Sequence, residues 1–331
     1  MVEATYYTAG HYFYNKIYNA GNFLMVDQAV RQVIKTLISN GSVEYSAKIE
    51  DEASMLGLST VRDGSLLVLH SPIELLDSDK IKTQLTHSAL DLEILWTVDS
   101  TNSYLMRSSA KPFKGYRVCL AEHQERGRGR RGRRWISSFG RNLCISIARK
   151  YPQTNMGLGG LSLAVGIQLA KTLKQKGVAN LGLKWPNDVL LDYTKLAGIL
   201  VEIGPALGAG LYVVVGIGVN LDLTSKDSLQ IEQPHNDLHD VLDFSRNILA
   251  GEIIQNVISG LDIFSQVGFT AFANEWQEYN LFRNRVISVH IADSVVTGID
   301  AGVDGAGNLL LLTDEGLKSF NAGEVSLRGS G

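Results

Sequence analysis

The chain has 331 residues, with 31 Lys+Arg against 34 Asp+Glu and a formal net charge of −3. At roughly 150 residues per domain this suggests about two domains or three, enough chain to bury a sizeable core. Hydrophobic residues at 45% and charged residues at 20% exclude a disordered chain, and the near-neutral total excludes a dedicated nucleic-acid coat but not a local basic site. Two cysteines, Cys119 and Cys144, are too few for a disulfide framework, and no CxxC pair suggests zinc. No basic segment followed by an apolar core and a cleavage site opens the chain, so a cytoplasmic protein is expected.

Residues 1–71 differ in texture from the rest. Tyr6, Tyr7, Tyr12, Phe13, Tyr14, Tyr18 and Phe23 crowd together, then Val26, Ala29, Val30, Val33, Ile34, Leu37 and Ile38 recur at helical spacing until Asn40-Gly41. A second helix is predicted over 47–58, and a strand over 66–69 that Pro72 ends. From Ser88 strands and helices alternate. Strands are predicted at 92–98, 116–121 and 143–148, with a helix starting at Asp99-Ser100-Thr101-Asn102 and a strongly amphipathic helix over 161–174. Four strands follow, at 181–185, 189–191, 198–203 and 211–219. The long uncharged run 203–221 holds five glycines and a proline, so it reads as two buried strands about a turn rather than a membrane span. Residues 222–246 are polar and acidic, the pattern of a surface loop; helices are expected at 248–264 and 270–278. Short strands at 286–291, 295–300, 308–312 and 317–321 give a small β-barrel pattern.

The chemistry concentrates in four places. Between two predicted strands, 126–134 carries six arginines in nine residues, interleaved with Gly127, Gly129 and Gly132 and followed by Trp135. Arginines recognise phosphate or carboxylate bidentately, and glycines let a backbone approach a ligand closely. Such a run fits a polyanion such as a nucleoside triphosphate, or alternatively an RGG-like RNA segment; its position between two strands favours the first. Lys184-Trp185-Pro186-Asn187-Asp188 sets a lysine, an amide and a carboxylate on a turn, where Asp188 suits Mg²⁺; an ordinary β-turn is the plainer alternative. In the run Lys195-Leu196-Ala197-Gly198-Ile199-Leu200-Val201-Glu202 a lysine stands at the mouth of a strand whose Ala-Gly pair leaves room for a ligand, or simply meets solvent. Asp99-Ser100-Thr101-Asn102 offers a helix cap and a polar cradle. There is no Gly-Lys dipeptide and hence no P-loop, and Gly216-Ile217-Gly218-Val219-Asn220 lacks the third glycine of a dinucleotide fingerprint.

In this order, together with Gly323-Glu324-Val325-Ser326-Leu327-Arg328, these segments resemble the biotin protein ligases over roughly residues 65–328. The resemblance implies an α/β (α+β) protein in three parts: a winged-helix-like domain at 1–71, a class II synthetase-like catalytic domain with a mixed sheet at 72–281, and an SH3-like barrel at 282–331. It implies a two-step reaction in which biotin and ATP give biotinyl-5′-AMP, whose biotinyl group passes to a lysine of a biotin carboxyl carrier domain of acetyl-CoA carboxylase. By the same resemblance Arg128, Arg130 and Lys195 offset the charge of the reacting anions. Ser100, Thr101, Asn102 and Gln124 hold the ureido ring, while Gly129, Gly198 and Leu200 line its slot. Gly127, Arg133, Trp135, Lys184, Asn187, Asn220 and Arg328 serve the nucleotide, and Asp188 serves Mg²⁺. A homodimer through the central sheet is a further family expectation.

Some members of this family repress the biotin operon through an N-terminal winged helix. Here residues 34–59 resemble its first two helices, yet the chain then goes directly to Thr60-Val61-Arg62-Asp63-Gly64 without room for a recognition helix; alternatively 27–40 is itself the third helix. Residues 1–71 carry five Lys/Arg and seven Asp/Glu, a net of −2, which disfavours DNA as a partner and suggests a degenerate or repurposed domain. The rival readings are a lipoate–protein ligase, a repressor with biotinyl-AMP as corepressor, and an RNA-binding protein. The Gly-Arg-Gly-Arg-Arg-Gly-Arg run disfavours the first.

Overall fold

The computed structural model describes residues 28–87, 89–152, 157–207, 210–291, 294–321 and 326–329, with side chains at 152, 205–207 and 326–329 left out. The aromatic stretch at 6–23, residues 323–325 and the side chain of Arg328 therefore lie outside the described residues. The chain divides into two units, Met1–Pro72 and Ile73–Gly331.

In the first unit, helix α1 (Gln28–Asn40) leads into strand β1 (Ser42–Glu44), helix α2 (Ala47–Met55) and the hairpin β2 (Thr60–Asp63) and β3 (Leu66–Leu69). The three strands form an antiparallel sheet in the order β1-β3-β2. The helical spacing of α1 buries Val30, Ile34, Leu37 and Ile38, as its sequence predicts, while α2 buries Ile49 and Ala53. Helix α2 stops at Met55, and only residues 56–59 separate it from β2.

The second unit is built on a seven-stranded sheet. Its strands are β4 (Leu90–Val98), β5 (Tyr116–Gln124), β6 (Asn142–Pro152), β7 (Leu181–Lys184), β8 (Asp188–Leu191), β9 (Thr194–Leu207) and β10 (Gly210–Asn220). They lie in the order β4-β5-β6-β10-β9-β8-β7; β4 runs parallel to β5 and the other pairs are antiparallel. The parallel pair is joined by helix α4 (Thr101–Arg107), which follows the short α3 (Ser78–Lys82) in the chain. Ser100 caps α4, its side chain accepting from the Ser103 N–H.

Helices α5 (Leu161–Gln175) and α7 (Arg246–Val267) cover one face of the sheet. The expected amphipathic pattern of α5 is corrected here: ten of its fifteen residues are buried, because it is sandwiched between the strands and α7. By length and composition Arg246–Tyr279 would cross a membrane, but Leu249, Ile253, Ile254, Val257 and Leu261 are at most 1% exposed inside the core. The segment 222–246 is also corrected from a plain surface loop. It holds helix α6 (Ser225–Ser228), closed by a Thr224/Asp227 capping box, and buries Leu238.

After a 3₁₀ turn at Gly268–Phe272 and helix α8 (Ala273–Tyr279), an antiparallel sheet closes the chain. It has five strands rather than the four expected: β11 (Val286–Ile291), β12 (Ser294–Val303), β13 (Leu309–Thr313), β14 (Gly316–Phe320) and β15 (Ser326–Gly329), ordered β14-β13-β12-β11-β15. Ile287, Val289, Leu309 and Leu311 join the same buried cluster as the central sheet. The Trp185 indole N–H donates to Gly307 O at 3.1 Å, tying the turn before β13 to the end of β7.

Candidate active site

Strands β9 and β10 form the floor of a cavity of about 1030 Å³. On β10, Val215, Ile217 and Val219 turn into the core, so Gly216, Gly218 and Asn220 face the other way. Gly218 pairs in register with Gly198 of β9, and Gly216 with Leu200. Two glycines side by side weaken a sheet and mark a close approach. Here the approaching group is Trp135: a Cβ on Gly218 would lie 2.4 Å from its indole, and one on Gly198 3.3 Å from it. Gly216 is matched likewise to Asn102, whose Oδ1 would lie 2.4 Å from an added Cβ.

Lys195 reaches this floor through an irregularity. Strict alternation would place it with Ala197 and Ile199, on the core face. The β8–β9 register instead shifts between the pairs Val189↔Ala197 and Leu190↔Lys195, so the extra residue, Leu196, turns into the core and Lys195 swings to the cavity. Its Nζ lies 2.8 Å from Asp188 Oδ1 and 5.8 Å from the Trp135 ring centroid. Beside it Arg130 donates to Asn187 Oδ1 at 3.2 Å, and Asn187 Nδ2 donates to Ile199 O. Burial pulls the Arg130 guanidinium below its usual pKa, and the neighbouring Arg131 adds to this. Lys195, Arg130, Asn187 and Asp188 therefore make one polar end of the cavity.

The other end is built from α4 and the neighbouring strands. Gln124 Oε1 accepts from the Thr101 N–H at 2.8 Å and from Thr101 Oγ1 at 3.0 Å. Ser146 Oγ lies 2.7 Å from Thr101 Oγ1 and 2.6 Å from Asn102 Oδ1. Asn102 Nδ2 donates to Leu200 O and to Glu202 Oε2, and Arg128 Nη2 donates to the same Glu202 oxygen at 2.7 Å. The two arginines therefore part company: Arg130 faces the lysine end and Arg128 the Thr101–Gln124 end.

The arginine segment is a small hairpin. Arg128 bridges Arg134, the Gly129 N–H donates to Arg133 O at 2.7 Å, and the Trp135 N–H donates to Gly127 O at 2.9 Å. Arg131 and Gly132 at its tip have φ of 57° and 73°.

Of the residues singled out in the sequence, Ser100, Thr101, Asn102, Gln124, Arg128, Gly129, Arg130, Arg133, Trp135, Lys184, Asn187, Asp188, Lys195, Gly198, Leu200 and Asn220 line the cavity. Gly127 is not among them; it packs under Trp135. The Asn220 side chain is spent on the protein, donating to Asn236 O and accepting from Asn142 Nδ2. Sequence reasoning missed the wall formed by Gln230, Ile231, Glu232, Gln233, Pro234 and His235. That segment is stitched to the lysine: the Lys195 N–H donates to Pro234 O at 3.0 Å and the Asn236 N–H to Lys195 O at 2.9 Å. It has no apolar period to announce it. Ser146, a lone hydroxyl in the apolar run of β6, could have been noticed. No cluster of three metal-ligating side chains occurs among the described residues.

Comparison with known proteins gives the class first. The biotin/lipoate A/B protein ligase family matches residues 95–220, and the biotin protein ligase C-terminal domain matches 285–328. The bifunctional ligase/repressor BirA of Escherichia coli K12 is 33% identical over 322 residues, covering 92% of this chain and 99% of its own. The biotin–(acetyl-CoA-carboxylase) ligase of Paracoccus denitrificans is 32% identical over 253 residues, 71% of this chain and 100% of its own. A solved biotin protein ligase from Aquifex aeolicus, in complex with biotin and ATP, superposes with a TM-score of 0.62 at 27% identity, covering 72% of this chain and 99% of that one. The chain belongs to the biotin protein ligase family, and it is a ligase enzyme of that family.

Proposed function

We propose that the cavity carries out both half-reactions of biotin transfer. An oxygen of biotin's carboxylate forms a bond to the α-phosphorus of ATP as the bond to pyrophosphate breaks. The amine of a carrier-domain lysine then bonds to the acyl carbon of this mixed anhydride as the acyl C–O bond to AMP breaks; AMP leaves with that electron pair, and the nitrogen loses a proton to give the amide. The single observation that carries this reading is the two-ended cavity: cations gathered at Lys195 and Arg130, and an amide–hydroxyl cradle at Thr101 and Gln124, with a glycine floor between them.

Bringing two anions together needs cations already in place. Lys195 and Arg130 serve the carboxylate and the α-phosphate, and Arg133 and Lys184, which also line the cavity, serve the outer phosphates. Lys195 stabilises charge and is not the nucleophile. Thr101, Gln124 and Ser100 receive the ureido ring, Trp135 stacks on a ligand ring, and Arg328 reaches the phosphates. Asp188 is one carboxylate engaged by Lys195, a donor set that fits Mg²⁺ only when nucleotide phosphates complete its shell. A bound Mg²⁺ would shield phosphate charge there.

The carrier domain of a biotin-dependent carboxylase is the protein partner, in the cytoplasm, where the two buried free thiols stay reduced. Strand β4 lies at an edge of the sheet and offers a second copy of the chain a strand to pair with. The E. coli relative is named a repressor as well as a ligase; DNA stays a partner of this chain that the net of −2 over residues 1–71 disfavours. Between α2 and β2, where the recognition helix of a winged helix is expected, no helix lies among the described residues.

The test is incubation with ATP, Mg²⁺, biotin and an apo carrier domain. Biotin on the carrier lysine, with pyrophosphate and AMP released, is the expected outcome; acceptance of lipoate in place of biotin overturns the reading.

A further inference from the structure

We infer that Ser146 is a positioning residue that makes the ring end of the cavity an acceptor-rich surface, so that this end selects a head group carrying N–H donors. This rests on the ligase reading above, in which Ser146 has no task. Ser146 is fully buried and does not line the cavity, so it acts through the residues that do. Ile145 and Ile147 on either side of it belong to the core cluster, which turns Ser146 to the opposite face of β6. Its partner on β10 is Gly216, and the room left there is filled by the Asn102 amide.

Four oxygens stand in a row: Asn102 Oδ1, Ser146 Oγ, Thr101 Oγ1 and Gln124 Oε1, at successive separations of 2.6, 2.7 and 3.0 Å. The two amides at the ends are fixed in orientation. Asn102 Nδ2 faces Leu200 O and the Glu202 carboxylate, which only accept, so its oxygen points at Ser146. Gln124 Oε1 meets the Thr101 N–H, which only donates. Both ends of the row are therefore pure acceptors, and two hydroxyl protons must serve three oxygen–oxygen contacts. One contact is always bare, and turning either proton outward would bare a second. Both protons are thus spent inside the row, and Thr101 Oγ1 and Gln124 Oε1 turn lone pairs to a ligand. A ligand N–H there supplies the missing hydrogen, whereas a ligand oxygen adds one more lone pair in a site where water cannot compensate. Without Ser146, one proton serves the one remaining contact, Thr101 to Gln124, and the shortage that an N–H relieves is gone.

The probes are biotin and its cyclic carbonate analogue, the same bicycle with both ring N–H groups replaced by oxygen, and titration calorimetry reads their binding without turnover. The wild-type chain should bind biotin about 100-fold or more tighter than the carbonate, as a site built around a substrate N–H does. Ser146→Ala should bind biotin about tenfold more weakly and the carbonate about as the wild type does, so the preference shrinks about tenfold. The biotin KM for pyrophosphate release should rise with it, with a smaller change in kcat. A merely structural loss would weaken both ligands alike and leave their ratio unchanged. Because Ser146→Ala also strands Asn102 Oδ1, Ser146→Cys, which keeps the volume and donates only weakly, is the second variant, and its ratio should fall between the two. Should neither variant fold, the wild-type ratio decides. A wild-type chain that binds the two ligands equally, or an unchanged ratio in the variants, overturns the assignment while leaving the ligase reading intact. A wild-type chain that binds neither ligand and biotinylates no carrier overturns the ligase reading itself.

Discussion

Lys195 illustrates how far single residues can be read. Its place at the mouth of a strand is visible in the sequence, and its neighbours Ala197-Gly198 mark a close approach. That it faces the cavity is not visible, because alternation alone would send it into the core; the bulge at Leu196 re-aims it. Lys195→Ala should lower the rate of pyrophosphate release by about 100-fold or more, the order found when a group aimed at developing charge is removed, with melting temperature little changed. Gly218→Ala tests the floor. Its methyl group would meet the Trp135 indole, so about 1–3 kcal/mol of stability should be lost by chemical denaturation, as in overpacked cores, with a shift in tryptophan emission. His123, beside Gln124, gives a pH signature. Burial, helped by the charge of Arg134, pushes its pKa down to about 4. The folded chain therefore keeps the ring neutral while the unfolded chain protonates it below about 6.5. Stability should be full above pH 6.5 and fall as the pH drops toward 4, by at most roughly 3 kcal/mol. Urea midpoints across that range, compared with His123→Phe, measure the slope; an equal slope in the variant would refute it.

At the scale of elements, the sequence reveals existence better than surroundings. Strands β3 and β11 occupy the positions their apolar patterns predict. Strand β9, by contrast, extends well beyond the predicted 198–203, because pairing with β10 continues through residues whose local propensity is weak. The cavity wall at 230–235 was illegible for a similar reason: its order comes from backbone bonds to Lys195, not from burial of its own side chains. Long-range polar contacts also escape a sequence pattern. Arg246, the first residue of α7, pairs with Glu122 of β5, the two side chains being 4% and 3% exposed, and donates to Glu74 O and Asn142 O. Glu74 in turn accepts from Ser245 Oγ, the Arg246 N–H and Asn247 Nδ2, which holds its carboxyl below the usual range despite the cost of burial. Arg246→Ala should cost about 3–5 kcal/mol, the penalty of an uncompensated buried charge. Arg246→Met with Glu122→Gln should restore much of it. Chemical denaturation of the three chains measures both.

For the whole molecule, the net charge of −3 averages an arginine hairpin against an acidic first unit. The order of motifs, rather than any one of them, made the catalytic class legible; the split of the two arginines between opposite ends of the cavity depends on tertiary contacts. The first unit bears on DNA. With no helix between α2 and β2, and a net of −2 over residues 1–71, the full chain should show no sequence-selective mobility shift at physiological salt, with or without biotin and ATP. A tight complex whose affinity falls steeply with salt would reverse that conclusion.

Strand β9 has one more consequence. Leu200 O, which holds Asn102, and Lys195 are five residues apart along it, with the bulge between them. At about 3.3 Å per residue the strand sets a nearly fixed span between the two ends of the site. A rigid span of this kind selects by length. An acyl tail one methylene longer or shorter than biotin's would still seat its ring, yet its carboxylate would miss the cations by about a bond length. Misplacement of that order can cost about 100-fold in rate. Such homologues should therefore bind as competitors of biotin and fail as substrates, which inhibition constants set beside pyrophosphate release would test.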